Sequence, residues 1–438
     1  MRNDGWRTGV AARRRGWRVI AGLSVLALAA TACSSGSSGS PKSGTVTITY
    51  WSSSTQAEIN WLDSHFNATH HGVKVQGQYI ASADDTTAKE VSALKSGTEP
   101  NVVIGQDPST LPLLAESGKV VNLKTPLAAE TAGLYAGIRP ALFYKGQQLG
   151  MALGGVGDYI LFYNKKDFAA AHISSPPATW PQLVSDAQKL SDPARHHYGI
   201  YIPLGSSEWI SYDWESMLWA NGGQFLNPAG TKVAFDSPAG VQALTTWVDL
   251  VRKDHAAPTT SFAQAGSYDG APAFAGGTVA MIVEGQWALS EFTKVDYGVA
   301  QMPAGTSGHS ATGIGIGVAS VFDKGSAANS AAITFVKWLA SPSTGAYLTS
   351  VSSGLPSAPA QLSQAAVKHE AASQPTYSTF ADQLKTGHTR PTVPAYAAIS
   401  EDLSNEINAA LTGSVTPAQA LAKAAAEGNQ AIASGDGS

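Results

Sequence analysis

The chain has a single cysteine in 438 residues, Cys33, so no disulfide can close within it. It is also poor in charge: Asp, Glu, Lys and Arg make up 14% of the residues, and the formal net charge is −4. Such a balance leaves no basic surface for a phosphate backbone, and no nucleic-acid partner is expected. Beyond the first thirty residues there is no apolar run long enough to cross a bilayer. Metal and nucleotide signatures are missing too. The pairs His70-His71 and His196-His197 lack the i, i+4 spacing of a helical zinc site, and Gly313-Ile-Gly-Ile-Gly317 does not have the G-x-G-x-x-G spacing. No metal and no cofactor are expected. Asp213 and Glu215 are two apart, so on a helix they diverge and on a strand they crowd out an intervening water, which argues against a glycosidase pair. No catalytic residue is expected, and a surface glycoside hydrolase stays only as the rival from another class. No short period repeats, which removes solenoids and propellers.

What is present begins with an address. Residues 1–18 carry six arginines against Asp4, and the apolar run Val19–Ala30 leads to Thr31-Ala32-Cys33. Basic, apolar and small-residue zones in that order make an export signal over 1–32. Arg14-Arg15 also reads as a twin-arginine signal, so both export routes stay open. Cys33 stands where a bacterial lipoprotein signal places its lipid-modified cysteine; the alternative is a secreted chain with a free thiol. The expectation is a lipid anchor at Cys33 on the outer face of the cytoplasmic membrane, with 33–44 as a Gly/Ser tether. Six arginines and one aspartate leave with residues 1–32, moving the formal charge from −4 to −9. The 406 residues from Cys33 onward exceed what one core usually serves, so two lobes are expected.

From Thr45 onward strands and helices alternate. TVTITYW reads as a half-buried strand, with Ile59, Leu62 and Phe66 on the face of the next helix. VKVQGQY (73–79), NVVIG (101–105) and KVVNL (119–123) continue the pattern. YILFYN (159–164), GIYIP (199–203), TVAMIV (278–283), YGVAQM (297–302) and GIGIGVAS (313–320) are further strands. Thr179-Trp-Pro-Gln182 and Thr416-Pro-Ala-Gln419 carry capping boxes, and Leu362–Ala433 is alanine-rich and helical. Alternation of this kind implies mainly parallel α/β sheets, with ligand loops beyond the strand ends.

Eight segments in order, among them ITYWSSSTQAEI (48–59), ILFYNKKDF (160–168), WANGGQFLN (219–227), FAGGTVAMIVEGQW (274–287) and FVKWLASP (335–342), resemble the family 1 extracellular solute-binding proteins of ABC importers, the maltose- and glycerol-3-phosphate-binding group. The resemblance implies an α/β, two-lobed periplasmic-binding-protein fold of type II. Each lobe is a mainly parallel sheet flanked by helices, with a helical C-terminal part. Lobe 1 is placed at 44–156 plus 308–356 and lobe 2 at 157–307 plus 357–435. It further implies a monomer that closes over a carbohydrate and delivers it to permease transmembrane subunits.

The segment RPTVPAYAAISEDL (390–403) resembles the glycerol-3-phosphate branch, yet that branch's arginine falls at Tyr396 and its tyrosine at Gly354. A cation exchanged for a ring suits a neutral sugar; a glycerol-3-phosphate or glycerophosphodiester receptor is the alternative. Asp107 lies in the family's ligand loop, where a carboxylate can accept two hydroxyls or else cap the helix at Pro108. Asp158, with Tyr159 beside it, stands at the lobe crossing, and Trp287 where sugar-binding members place a stacking ring. Glu284 could take a hydroxyl or be a loop acid. Ser53 and Gln56 could reach in from lobe 1, and Trp51 could do so or plug the first sheet. In WISYDWESMLWANGG (209–223), Trp209 and Trp214 are expected to face the cleft. Trp61, Trp180, Trp247 and Trp338 are expected in the core.

Overall fold

The computed structural model describes residues 44–80, 83–205, 208–262 and 268–435. The alternating residues of β1 (Val46–Ser52) bury Ile48 and Tyr50, and the strand runs parallel to β2 (Val73–Tyr79) and β3 (Val102–Gln106). Two further strands close this first sheet in the order β2-β1-β3-β9-β4: β4 (Met151–Ala152) and β9 (Val318–Val321), the latter antiparallel to both of its neighbours. The second sheet is built from β5 (Gly157–Asn164), β6 (Met281–Gly285), β7 (Tyr297–Ala300), β8 (Thr312–Gly315) and β10 (Gly387–Thr389). Here β5 is antiparallel to β6, β7 and β8, and only β8 and β10 are parallel.

The expectation of mainly parallel sheets therefore fails for the second sheet, and the reason is connectivity. The chain passes from β4 in the first sheet to β5 in the second, then returns from β8 to β9. Strands that carry the chain across in opposite senses must run antiparallel wherever they pair. GIGIGVAS is accordingly two strands, one in each sheet, joined by Ile316-Gly317. Two other expected strands are extended backbone only. GIYIP contributes the bond from Tyr201 N to Met281 O at 3.0 Å beside an isolated parallel bridge, Tyr198 to Val279, and Val120 makes one bridge to Phe322.

Helices form where caps and apolar spacing agree. Thr55 accepts from Glu58 N at the start of α1 (Gln56–Thr69), which buries Ile59, Leu62 and Phe66. Thr179 caps α2 (Trp180–Leu190), although Gln182 returns its carbonyl to Ala178 N, not to the cap residue. The α3 helix (Glu208–Ala220) is buried almost all round, with Ser211 Oγ 2.6 Å from Ser400 Oγ on α4 (Tyr396–Leu411). A full capping box, Thr416 with Gln419, opens α5 (Pro417–Ser434). Trp180 and Trp247 are buried as expected, whereas Trp61 and Trp338 are only half-buried and stack on each other, Trp61 also on Tyr347 and His65.

Candidate functional site

The crossings bring strand ends of both sheets together. At the head of β5 the fully buried ring of Tyr159 meets Trp287 edge-on at 5.3 Å, Trp209 at 5.7 Å and Tyr212 at 5.0 Å. Trp209 and Trp287 are half-buried, and Tyr268, 41% exposed, lies 6.5 and 6.2 Å from them. The Trp287 indole lies over the backbone of Gly157 and Gly285, paired strand ends where a side chain would strike the ring; a Cβ on Gly157 would stand 2.7 Å from it. Its N–H donates to Glu284 Oε1 at 2.5 Å. The wall opens on a cavity of roughly 360 Å³ lined from the first sheet by Gly105 and Asp107 and from the second by Gly157, Trp287 and Gly315.

Carboxylates crowd this wall. Asp158, Glu215 and Glu284 are fully buried and Asp213 nearly so. Both oxygens of Asp158 and of Glu215, Oδ1 of Asp213 and Oε2 of Glu284 have no hydrogen-bond partner. Burial pushes the pKa of all four well above the ordinary carboxylate value. None lies within ion-pair distance of a cation among the described residues.

The cation of the region is Arg390, just past β10. Its guanidinium lies 4.0 Å over the Tyr212 ring, its Nη1 donates to Asp107 Oδ2 at 3.2 Å, and its Nε lies 2.6 Å from Glu208 Oε1. Burial works against the charge, but Tyr212, Tyr396, Asp107 and Glu208 outweigh it and push the pKa up. Tyr396 OH donates to the same Glu208 oxygen at 3.1 Å. Asp107 comes from the loop after β3 and Glu208 from the first turn of α3, so the guanidinium joins elements of the two sheets. Arg390 also lines a larger cavity, roughly 730 Å³, with Phe143, Trp219, Phe225 and His388.

The family model of bacterial extracellular solute-binding proteins matches residues 48–346. The chain belongs to that family. Protein YcjN of Escherichia coli (strain K12) is 27% identical over 205 residues, which is 44% of this chain and 45% of that one, less than half its length. The sn-glycerol-3-phosphate-binding periplasmic protein UgpB of Rhizobium meliloti is 23% identical over 58% of this chain and 62% of its own. Among solved structures, the cyclic alpha-maltosyl-1,6-maltose binding protein of Arthrobacter globiformis superposes with a TM-score of 0.79 at 24% identity, over 89% of this chain and 99% of that chain. The two-lobed α/β fold is thereby shown, and the family is one of extracellular solute binding.

Within this solute-binding chain the residues singled out from the sequence separate. Asp107, Asp158, Tyr159, Trp209, Glu284 and Trp287 converge on the wall. Asp107 also caps the short turn at Pro108 by accepting from Ser109 N, which is the cap reading of it. Trp214 does not belong there: it is fully buried, edge-on to Phe235. On a helix a five-residue step turns about 140°, so Trp209 and Trp214 cannot share a face. Trp51 is buried with Lys89 Nζ 4.2 Å from its ring, which is the plug reading. Gln56 is exposed and bonds Asn60, while Ser53 is half-buried beside Gly105. Tyr396 is buried behind Glu208 and replaces no cation, because Arg390 supplies one. Sequence reading missed Arg390, Glu208 and Tyr268. Arg390 opens the RPTVPAY segment, and its place before two prolines was the available signal. Cys33 and the export signal lie outside the described residues.

Proposed function

We propose that this chain is the ligand-binding receptor of an ABC importer, taking a neutral sugar or short oligosaccharide between its lobes and passing it to permease transmembrane subunits. The observation that carries this reading is the aromatic wall of Trp287, Trp209 and Tyr268, set among carboxyl groups and a guanidinium already held by two carboxylates. Indole faces stack on the C–H faces of sugar rings, and carboxyl groups take hydroxyls. Asp107, Trp209 and Trp287 are the direct contacts in this reading, with Asp158, Tyr159 and Glu284 behind them and Ser53 at the lobe-1 rim. Lobe 1 is 44–156 plus 308–356 and lobe 2 is 157–307 plus 357–435, with closure at the 153–156 and 316–317 crossings. The receptor works as a monomer without catalysis or cofactor, exported by residues 1–32 and anchored through lipid on Cys33.

A thermal-shift screen of neutral sugars beside glycerol-3-phosphate tests the assignment. Maltooligosaccharides or other neutral sugars are expected to raise the melting temperature; a rise with phosphorylated ligands alone overturns it. Arg390 and the similarity to UgpB favour glycerol-3-phosphate as the second reading. Product analysis after incubation with oligosaccharides checks the absence of turnover, and labelling of wild type against Cys33→Ser with a radioactive fatty acid checks the anchor.

A further inference from the structure

We propose that Asp107 and Glu208 set ligand specificity by masking Arg390, so that a site containing a guanidinium rejects phosphorylated ligands. This rests on the reading of the site as one for neutral carbohydrate.

Arg390 is the group a phosphate would seek, being a buried planar fork held against a ring. Two of its nitrogens face carboxylates, one through a hydrogen bond and the other, Nε, by close approach without hydrogen-bond alignment. Nη1 is bonded to Asp107 Oδ2 at 3.2 Å and Nε faces Glu208 Oε1 at 2.6 Å. One guanidinium and two carboxylates leave the triad with a net negative charge. An arriving phosphate would have to displace a carboxylate and then sit beside it, and the repulsion acts against that ligand alone. A sugar hydroxyl meets no such penalty. It can donate to the outer oxygens of Asp107 and Glu208, whose side chains are 40% and 49% exposed.

The two acids reach the guanidinium from different elements, and each has a second task that an amide preserves. Asp107 caps the turn at Pro108 through Ser109 N at 2.8 Å, and asparagine is an equally good cap. Glu208 Oε1 accepts from the Tyr396 hydroxyl, and glutamine keeps that acceptor. Replacing both removes two negative charges with little change of shape and leaves Arg390 as an unmasked cation lining the larger cavity.

The test is isothermal titration of the full chain with glycerol-3-phosphate, and with glycerol as the uncharged control. Wild type is expected to give no saturable heat with glycerol-3-phosphate at millimolar concentration. D107N/E208Q is expected to bind it at least about tenfold more tightly than wild type, with an affinity that falls as salt is raised and disappears in D107N/E208Q/R390M. A folded double variant with no gain overturns the masking while leaving the carbohydrate reading intact. Binding of glycerol-3-phosphate by wild type as tight as any neutral sugar overturns both. Should the double variant not fold, D107N alone carries the test: inorganic phosphate should raise its melting temperature more than that of wild type, and equal shifts overturn the proposal.

Discussion

Two sets of acids share one wall and meet different fates. Asp107 and Glu208 reach water and share a guanidinium, which places them where they meet a ligand's charge. Asp158, Asp213, Glu215 and Glu284 sit around Tyr159 and Tyr212, sealed from solvent and in no ion pair among the described residues, and burial raises their pKa values. Identical chemistry in the sequence thus yields a rim that meets water and a floor whose charge burial opposes. The difference is made by access to water and by one side chain. Charge selection belongs to the rim, and the floor lies behind it.

The largest effect is expected where the two sets meet. Trp287 hangs from Glu284 of the floor and faces the cavity that Asp107 lines. Trp287→Ala should weaken carbohydrate binding by on the order of 2 kcal/mol, roughly thirtyfold, by titration calorimetry. An unchanged affinity would remove the ring from the site. Next comes the rim. Arg390→Met leaves Asp107 and Glu208 facing each other without a counter-ion and should cost about 2 kcal/mol in urea denaturation. That is below the usual penalty for a broken buried pair, because both carboxylates reach water. The deficit should shrink as pH falls through the carboxylate range.

For the floor the sign reverses. A carboxyl whose folded pKa is raised gives its full stability below the unfolded value near 4, and loses it as pH rises toward the folded one, because the unfolded chain ionises first. Wild type should therefore lose stability from about pH 4 upward. Glu215→Gln with Asp158→Asn should flatten that slope, making the variant more stable than wild type by about 1 kcal/mol at pH 8 and equal to it at pH 4. Parallel slopes would mean that the floor is ionised after all. The smallest effect is expected outside both sets: Trp214→Phe, in the core against Phe235, should leave sugar affinity within about twofold of wild type.

Much of this was legible in the sequence because it is local. Caps at Thr179 and Thr416 stand where their side chains predict, and the family was readable from ordered segments. The strand end after NVVIG pointed to Asp107, and the family resemblance pointed to Asp158 and Trp287. The misses are non-local. GIGIGVAS has the alternation of one strand, and nothing in its own residues says that its halves pair with different sheets. Trp214 was misplaced for want of a helical reading of 208–220, a stretch that buries its polar residues Ser211, Asp213, Glu215 and Ser216 along with its apolar ones. Arg390 escaped because its meaning lies in two acids, 283 and 182 positions away, that only the fold brings to it.

The joint within GIGIGVAS has one more consequence. A Cβ on Gly317 would stand 3.2 Å from the Cα of Gly105, two residues before Asp107. Two residues hold only four soft torsions, so Ile316-Gly317 is too short to store an angle the way a long linker does. With backbone pressed on backbone it has no slack either, and any turn taken there must be handed to the Asp107 loop, like a gear tooth that cannot skip.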